Sequence, residues 1–583
     1  MPVPPYSPVP ATTSYRPDPP ASGPLPSVGP ASGSARVVPP PGPNPPAVPA
    51  NPGGYSVNPG HYPVNPPHHP GSAAVPGRAA VPPTTGYPAD TPPAPTPPPA
   101  RRRTRLVAGA AAVVVLALAA AGVAVVRPGP VAGWLGQADP SPAARSEPPE
   151  PPPAPVLLAA GATAPVPTQQ GLRTALEPLV GAAALGSSVH VAVLDVATGE
   201  QLYGQGQDTP TVPASTTKLV TAATVLAARG PAYRIPTRVV AGATPGEVVI
   251  VGGGDPTLAI NATGIYPGAG RLDDLAAKVK QALGGTAPTK VTVDSSLFSG
   301  PVYGPGWDAD IPTGGFAAPI TALMTDGGRI DPKDNIKGAE RYEKPDVAAG
   351  RLFAKALGLP TATVNAVAKG TAPAAPPDAT GASASPGATI APGTELGRID
   401  SPPLVRLVEF MLADSDNVVA EALARQVALA RQQPASFDGA AAAMDTVVGE
   451  LGLDANQTAV SDGSGLSRRN RISPALLTDV LGLAADGSKP ELAGIFAGLP
   501  VAGWSGTLTE RFASPAAVAA LGAVRAKTGT LSEVNAISGT VTTAQGRLLA
   551  FAVLADRVPS GPEQAGSALD KIAAALAACG CAG

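Results

Sequence analysis

The sequence predicts one large α/β (α+β) domain, placed behind two Pro-rich segments and a single apolar span. Three observations predict it. The 583 residues include 76 prolines, and 34 of these fall inside residues 1–100. A run of 21 residues from Leu106 to Val126 carries no charge. After residue 168, β-rich runs such as SVHVAVLDV alternate with Ala- and Leu-rich helical runs such as STTKLVTAATVLAARG.

Taken in order, residues 1–105 (PVPPYSPVP, YPVNPPHHP, TPPAPTPPP) hold almost no aliphatic periodicity. Such a stretch buries too little apolar surface to offset its chain entropy, so it reads as a disordered, largely polyproline-II tail. The run LVAGAAAVVVLALAAAGVAVV over 106–126 would extend about 31 Å as a helix, enough to cross a bilayer core. Arg101, Arg102, Arg103 and Arg105 precede it, and only Arg127 follows closely. The positive-inside rule then predicts a single-pass transmembrane helix in the cell membrane, with a cytoplasmic N-terminus and an extracellular domain. Residues 127–168, with SEPPEPPPAPV, read as a second Pro-rich linker that holds the exterior domain off the membrane.

The net charge of −2 argues against a general nucleic-acid binder. Up to Arg105 seven Arg face two Asp, so the remainder sits near −7. Cys579 and Cys581 are the only cysteines. They exclude a disulfide framework and a Cys-rich zinc site, and either a local disulfide or two free thiols suits them. Of the four histidines, His61, His68 and His69 lie in the tail, and His190 reads as a strand residue. No metal site and no cofactor are expected. A Ser-His-Asp hydrolase would rest on His190 alone.

Residues 188–196 (SVHVAVLDV), the turn Ala197-Thr198-Gly199 and the strand-like Gln201-Leu202-Tyr203 predict a β-hairpin. The segment after Val212-Pro213-Ala214 predicts a buried helix ending at Gly230. Ser215 and Lys218 fall in its first turn, three apart and on one face. The Ser215 N–H is then among the unpaired donors of a helix start, ready to hold an oxyanion. A serine hydroxyl is a weak nucleophile until a base takes its proton. Without a histidine, a lysine serves once burial or a neighbouring cation lowers its pKa.

An isolated S-x-x-K is more often a helix cap beside a solvated lysine. Here it is the sole S-x-x-K among twelve lysines, and two further motifs follow in order. Ser415-Asp416-Asn417 lies between FMLAD and VVAEALARQVA, at a helix junction. Lys527-Thr528-Gly529-Thr530 lies inside AVRAKTGTLSEVNAISGTV, a strand followed by another β-rich run. A glycine within a strand marks close approach of another backbone. Lys527 and the threonine hydroxyls suit a substrate carboxylate.

Together S-x-x-K, S-D-N and K-T-G form the signature of penicillin-binding proteins and class A β-lactamases, and the chain resembles these penicillin-recognising serine acyltransferases. The resemblance implies their transpeptidase fold, an antiparallel sheet flanked by helices. Lys218 and Ser415 are separated by 196 residues, a far longer interval than a class A β-lactamase has. None of Glu421, Glu450, Glu491 and Glu510 has the Asn four residues on that such an enzyme's E-x-x-x-N element needs. The interval is instead similar to that of the D-alanyl-D-alanine carboxypeptidase/endopeptidase family of low-molecular-mass class C (peptidase family S13). Gly253-Gly254-Asp255-Pro256-Thr257-Leu258 is similar to that family's G-x-G-D-P-T-L. Asp462-Gly463-Ser464-Gly465-Leu466-Ser467-Arg468 matches its D-G-S-G-L-S-R, and Gly506-Thr507-Leu508 followed by Arg511 also fits.

The resemblance covers roughly residues 170–560. It implies a peptidase domain over 169–234 and 335–583, interrupted by a smaller inserted domain over 235–334. The family usually carries a further β domain after a segment like Ala318-Pro319-Ile320-Thr321-Ala322-Leu323. Here a helical run from Asp346 to Phe353 follows quickly, so that domain is expected to be missing or vestigial, with 371–395 as a flexible loop.

By the same resemblance, Ser215 attacks the penultimate D-Ala carbonyl of a peptidoglycan stem peptide ending in D-Ala-D-Ala. Lys218 is the base, Ser415 the proton relay to the leaving amine, and Asn417 a positioner of Lys218 and the peptide amide. Lys527 keeps the Lys218 pKa low and, with Thr528, Gly529 and Thr530, forms the carboxylate-binding strand. The N–H groups of Ser215 and Thr530 make the oxyanion hole. β-Lactam antibiotics are the implied inhibitors. Asp308, Asp310 and Arg468 are candidates to meet the amino end of a diaminoacid side chain. Asp255 reads as a turn former. The competing readings are a β-lactamase, an esterase or amidase on the same fold, and a non-catalytic penicillin-binding scaffold.

Overall fold

The structure, a computed structural model, describes residues 163–333, 338–376 and 390–580. The expected tail, the apolar span 106–126 and the linker up to 162 lie outside these residues. Among the described residues no helix is long and apolar enough to cross a membrane.

The chain enters through α1 (Gln169–Val180), whose start is capped by Thr168 Oγ1 accepting from Gly171 N. The predicted hairpin follows as β1 (Val189–Asp195) and β2 (Gln201–Gln205), antiparallel, with Gly199 at φ 71° in the turn. Next comes α2 (Thr217–Arg229), ending where Gly230 takes φ 79°. A middle segment supplies β3 (Pro236–Ala241), β4 (Glu247–Val251), α3 (Leu272–Ala282), β5 (Lys290–Asp294), α4 (Pro345–Ala356), α5 (Thr361–Asn365), β6 (Ala368–Lys369) and β7 (Glu395–Asp400). A helical run then brings α6 (Leu404–Ala413), α7 (Asn417–Ala430) and α8 (Phe437–Glu450). The short pair β8 (Thr458–Ala459) and β9 (Arg471–Ile472), then α9 (Pro474–Ala485) and α10 (Gly494–Gly498), precede three long strands. These are β10 (Val524–Leu531), β11 (Val534–Thr542) and β12 (Leu548–Ala555), and α11 (Pro562–Ala578) closes the fold.

The main sheet is antiparallel throughout, in the order β10-β11-β12-β1-β2. Helices cover both of its faces, which explains why β12 reads LLAFAVLA without polar alternation. Its odd-numbered Leu549, Phe551 and Val553 pack with Leu172 and Leu176 of α1 and Ile572 of α11. The even-numbered Ala550, Ala552 and Leu554 pack with Leu219 of α2, Leu423 of α7 and Leu477 of α9. A one-residue slip would exchange these two sets, so the two cores fix the register.

The second sheet has the order β6-β5-β4-β3-β7, parallel across β4-β5-β6 and antiparallel elsewhere. Its core joins Val239, Ile250 and Val293 to Leu275 of α3 and Phe353 of α4. The expected inserted segment stops at 334, but this sheet is completed by β6 and β7, which lie beyond it. The pairings Thr237↔Ile399 and Thr292↔Ala368 extend the sheet to Asp400. The described parts of 371–395 contain no regular element before β7 begins at Glu395.

One buried ion pair ties the C-terminal end of β1 to the start of its neighbour β12 in the main sheet. Arg547 Nε lies 2.7 Å from Asp195 Oδ1, with the two side chains 3% and 0% exposed. Burial pushes the Asp195 carboxyl up, but hydrogen bonds from Arg547 and Thr198 outweigh it and leave the carboxyl below its ordinary range. Arg547→Ala strands the carboxylate and is expected to cost about 3 kcal/mol at neutral pH, read as a lower urea midpoint. Because the folded value is depressed, this contribution is lost as pH falls through it, and the wild-type and variant midpoints converge in acid.

Candidate active site

Ser215 sits in a short 3₁₀ turn, Ala214–Thr216, just before α2 rather than inside its first α-turn. Ala214 takes φ 46°, a costly conformation for a residue with a Cβ. Two glycines make room for it. A Cβ on Gly465 would come 1.9 Å from the Ala214 carbonyl oxygen, and one on Gly529 would lie 2.8 Å from the Pro213 oxygen and 3.1 Å from Ser215 N. The Thr217 hydroxyl donates to the Ala214 carbonyl, fastening the turn to the helix start.

One turn along the same face, Lys218 is fully buried. Its Nζ donates to Ser215 Oγ at 3.0 Å, Asn417 Oδ1 at 2.7 Å and the Ser464 carbonyl at 2.6 Å. The nucleophile candidate and the base candidate are therefore in direct hydrogen-bond contact. Ser464 belongs to the loop 462–467, and α7 holds that loop. Glu421 Oε1 accepts from Gly463 N and Ser464 N at 3.1 and 2.8 Å. Burial pushes the Glu421 carboxyl upward, and nearby Asp462 adds to the rise.

Ser415 lies between α6 and α7 at φ 58°. Asp416 caps α7, its Oδ1 accepting from Val418 N and Val419 N at 2.9 and 3.1 Å. Its other oxygen accepts from the Tyr266 hydroxyl at 2.7 Å and from Arg329 Nη2 at 3.3 Å. Burial opposes the charge on Asp416, but the Arg329 and Arg341 guanidiniums and these hydrogen bonds hold its pKa at about 2. Asn417 spends its amide on both sides, accepting from Lys218 and donating from Nδ2 to the Phe316 carbonyl at 2.9 Å.

Lys527 is fully buried on β10, and its Nζ donates to the Thr528 carbonyl at 2.6 Å. Thr528 Oγ1 donates to Thr507 Oγ1 at 3.0 Å. A cavity of about 610 Å³ gathers Ser215, Ser415, Asn417, Thr528 and Thr530 on its wall. Asp308 and Asp310 also line it. Asp308 is already engaged by Arg468, with Nε–Oδ1 at 2.7 Å and Nη2–Oδ2 at 2.8 Å, and this guanidinium holds its carboxyl below the ordinary range. Among the described residues Asp310 has no such ion pair, while Arg468 also reaches the Ser532 carbonyl.

Four participants escaped sequence reasoning. The Ser464 carbonyl contributes through its backbone, inside a motif noted only for its likeness. Asp416 was visible as the middle of S-D-N, and its place before a helix was the signal for a cap. Tyr266 and Arg329 come from the middle segment with no local pattern to mark them. Asp255 is a turn former, accepting from Thr257 N and Oγ1 at 2.8 and 2.6 Å. His190 lies on β1, against Ser188 Oγ and the Gly206 carbonyl. Cys579 is disulfide-bonded, while Cys581 lies outside the described residues.

Residues 172–351 and 341–577 match the D-Ala-D-Ala carboxypeptidase 3 (S13) family. The carboxypeptidase DacB of Mycolicibacterium smegmatis is 38% identical over 451 residues, covering 76% of this chain and 92% of the relative. The chain belongs to the S13 family. A carboxypeptidase of Mycobacterium tuberculosis is 39% identical over 445 residues, covering 74% of this chain and 90% of that one. In fold, the chain is similar to penicillin-binding protein 4 of Haemophilus influenzae at TM-score 0.54 and 21% identity, over 70% of this chain and 98% of the other. The protein is a serine-type D-Ala-D-Ala carboxypeptidase, built on the penicillin-binding-protein/β-lactamase-like fold.

The contact between β10 and the Ser215 turn leaves no room for a methyl group at Gly529. Gly529→Ala is expected to lower kcat/KM for release of D-Ala from a D-Ala-D-Ala-terminated peptide by about 100-fold, the scale of a displacement near 1 Å. The melting temperature should move little, because the strain falls on the turn and not on either core.

Proposed function

We propose the following division of labour among the site residues. Ser215 Oγ attacks the carbonyl of the penultimate D-Ala, and its proton passes to Lys218 Nζ. The oxyanion is held by the N–H groups of Ser215 and Thr530. Ser415 relays a proton to the departing D-Ala amine as the C–N bond breaks, leaving an acyl-enzyme that water hydrolyses. Asn417 positions Lys218 and the peptide amide. Lys527, Thr528 and Thr530 attract the terminal carboxylate, and Gly529 lets that strand approach. The observation that carries this reading is the 3.0 Å contact between the buried Lys218 Nζ and Ser215 Oγ. Among the described residues His190 is the only histidine, and it is occupied elsewhere.

β-Lactams, which mimic the D-Ala-D-Ala end, would acylate the same hydroxyl and inhibit. Asp308, Asp310 and Arg468 are proposed to receive the diaminoacid side chain, with Asp310 as the acid that has no ion pair among the described residues. A DD-endopeptidase activity is proposed alongside, since a cavity of about 610 Å³ is of the size that holds a ligand larger than a dipeptide. A β-lactamase is disfavoured, since Glu421, on the helix of Asn417, is fully buried and committed to two backbone N–H groups.

The domain division is proposed with the inserted unit ending near Asp400, following its strand pairing. The apolar run 106–126 is proposed as the single membrane anchor, with the catalytic domain in the cell envelope.

A fluorescent penicillin should label the wild type on one peptide containing Ser215, identified by mass mapping, and Ser215→Ala should lose the adduct. Labelling that persists in a folded Ser215→Ala would move the nucleophile elsewhere. For the anchor, the full chain should stay with membranes through a carbonate wash, and deletion of 106–126 should release it.

A further inference from the structure

Trp504 is 80% exposed, an unusual state for so large an apolar ring. Val518 and Leu521, 53% and 45% exposed, come from the turn that precedes β10. Leu521 packs against the Trp504 loop, since a Cβ on Gly503 would lie 2.3 Å from Leu521 Cδ2. The loop is held in place. Trp504 N and Ser505 N both donate to the Val501 carbonyl, and Gly503 N donates to the Leu508 carbonyl.

The same loop continues the outer edge of the substrate strand. Ala526 N donates to the Pro500 carbonyl, Ala502 N donates to the Val524 carbonyl, and Val501 bridges Arg525. Beyond this point Thr528, Thr530 and Leu531 face the cavity. Thr507, three residues after Trp504, receives the Thr528 hydroxyl. In the reaction proposed above, Thr528 belongs to the group that receives the departing end of the substrate. A linear stem peptide ends there. A cross-linked substrate continues, because its departing residue carries a second stem peptide and the polysaccharide to which that peptide is attached.

We propose that Trp504, with Val518 and Leu521, is a docking platform for the saccharide strand on the departing side of a cross-linked substrate. The flat apolar ring offers its face to the apolar face of a pyranose ring, and the exposed Glu510 and Arg525 supply charges beside the loop. The inference rests on the proposed placement of the carboxylate at Thr528.

The test uses the full chain as wild type and as Trp504→Ala, with chitotetraose as the saccharide probe. Titration calorimetry should show affinity for chitotetraose reduced at least about tenfold in the variant. Release of D-Ala from a soluble pentapeptide should stay within about twofold of wild type, because Trp504 lies outside the reacting groups. Equal affinity of the two proteins for chitotetraose overturns the proposal. So does fluorescence quenching by brominated lipid that Trp504→Ala abolishes, without a response to chitotetraose, which assigns the patch to a membrane. Absence of pentapeptide hydrolysis by the wild type would instead overturn the reading of the catalytic site, on which the proposal rests.

Discussion

The rest of the site depends on the burial of one amine. Lys218 has no exposed surface, and a buried amine is tolerated only when acceptors surround it. Those acceptors come from three segments far apart in the chain: the Ser215 turn, Asn417 and the Ser464 carbonyl. Satisfying one side chain therefore forces the start of α2, the start of α7 and the loop 462–467 to meet. Glu421 secures that meeting from one turn further along α7, since it holds the two N–H groups of the loop that presents the Ser464 carbonyl. The helix of Asn417 thus supports Lys218 twice, once directly and once through the loop.

A second constraint couples this helix to the middle segment. Asp416 must stay ionised to cap α7, although it is buried. Arg329 and Tyr266 stabilise that charge from the middle segment, which binds it to the helix that carries Asn417. The two non-glycine residues at positive φ that flank the chemistry, Ala214 and Ser415, sit on either side of this arrangement. Each is one residue from a polar contact that fixes it: Ser215 to Lys218, and Asp416 to Tyr266 and Arg329. Local strain of this kind persists only where the surroundings over-determine the backbone.

What the residues disclosed in advance was what local pattern encodes. The hairpin over 189–205, the helix ending at Gly230, the helix junction at Ser415 and the strand carrying Lys527 are each written in ten to twenty neighbouring residues. The end of the inserted sheet was not, because β6 has only two residues and β7 joins by pairing with a strand some 160 positions earlier. Nothing near Glu395 announces that pairing. Arg329 and Tyr266 were hidden for the same reason, as their partner lies in a distant helix cap. Ser464 acts through a carbonyl that every residue possesses, so only its motif could point to it. Asp308 and Arg468 were named together as candidates, but spacing alone could not say that they would bind each other.

The treatment of β10 shows how one physical problem was turned to use. An edge strand offers unpaired backbone groups that invite aggregation, and proteins cover or shorten such edges. Here β10 pairs with β11 on one side, and the loop from Pro500 covers its other side only as far as Ala526. From Lys527 onward the strand borders the Ser215 turn and the cavity instead. Covering the whole strand would close the proposed carboxylate site, and covering none would leave an adhesive edge. The loop stops where the K-T-G motif begins, so Thr528 and Thr530 remain on the cavity wall while the vulnerable backbone before them is paired. Gly529 completes the arrangement, because any side chain there would push the strand away from Ser215 and separate the two halves of the site.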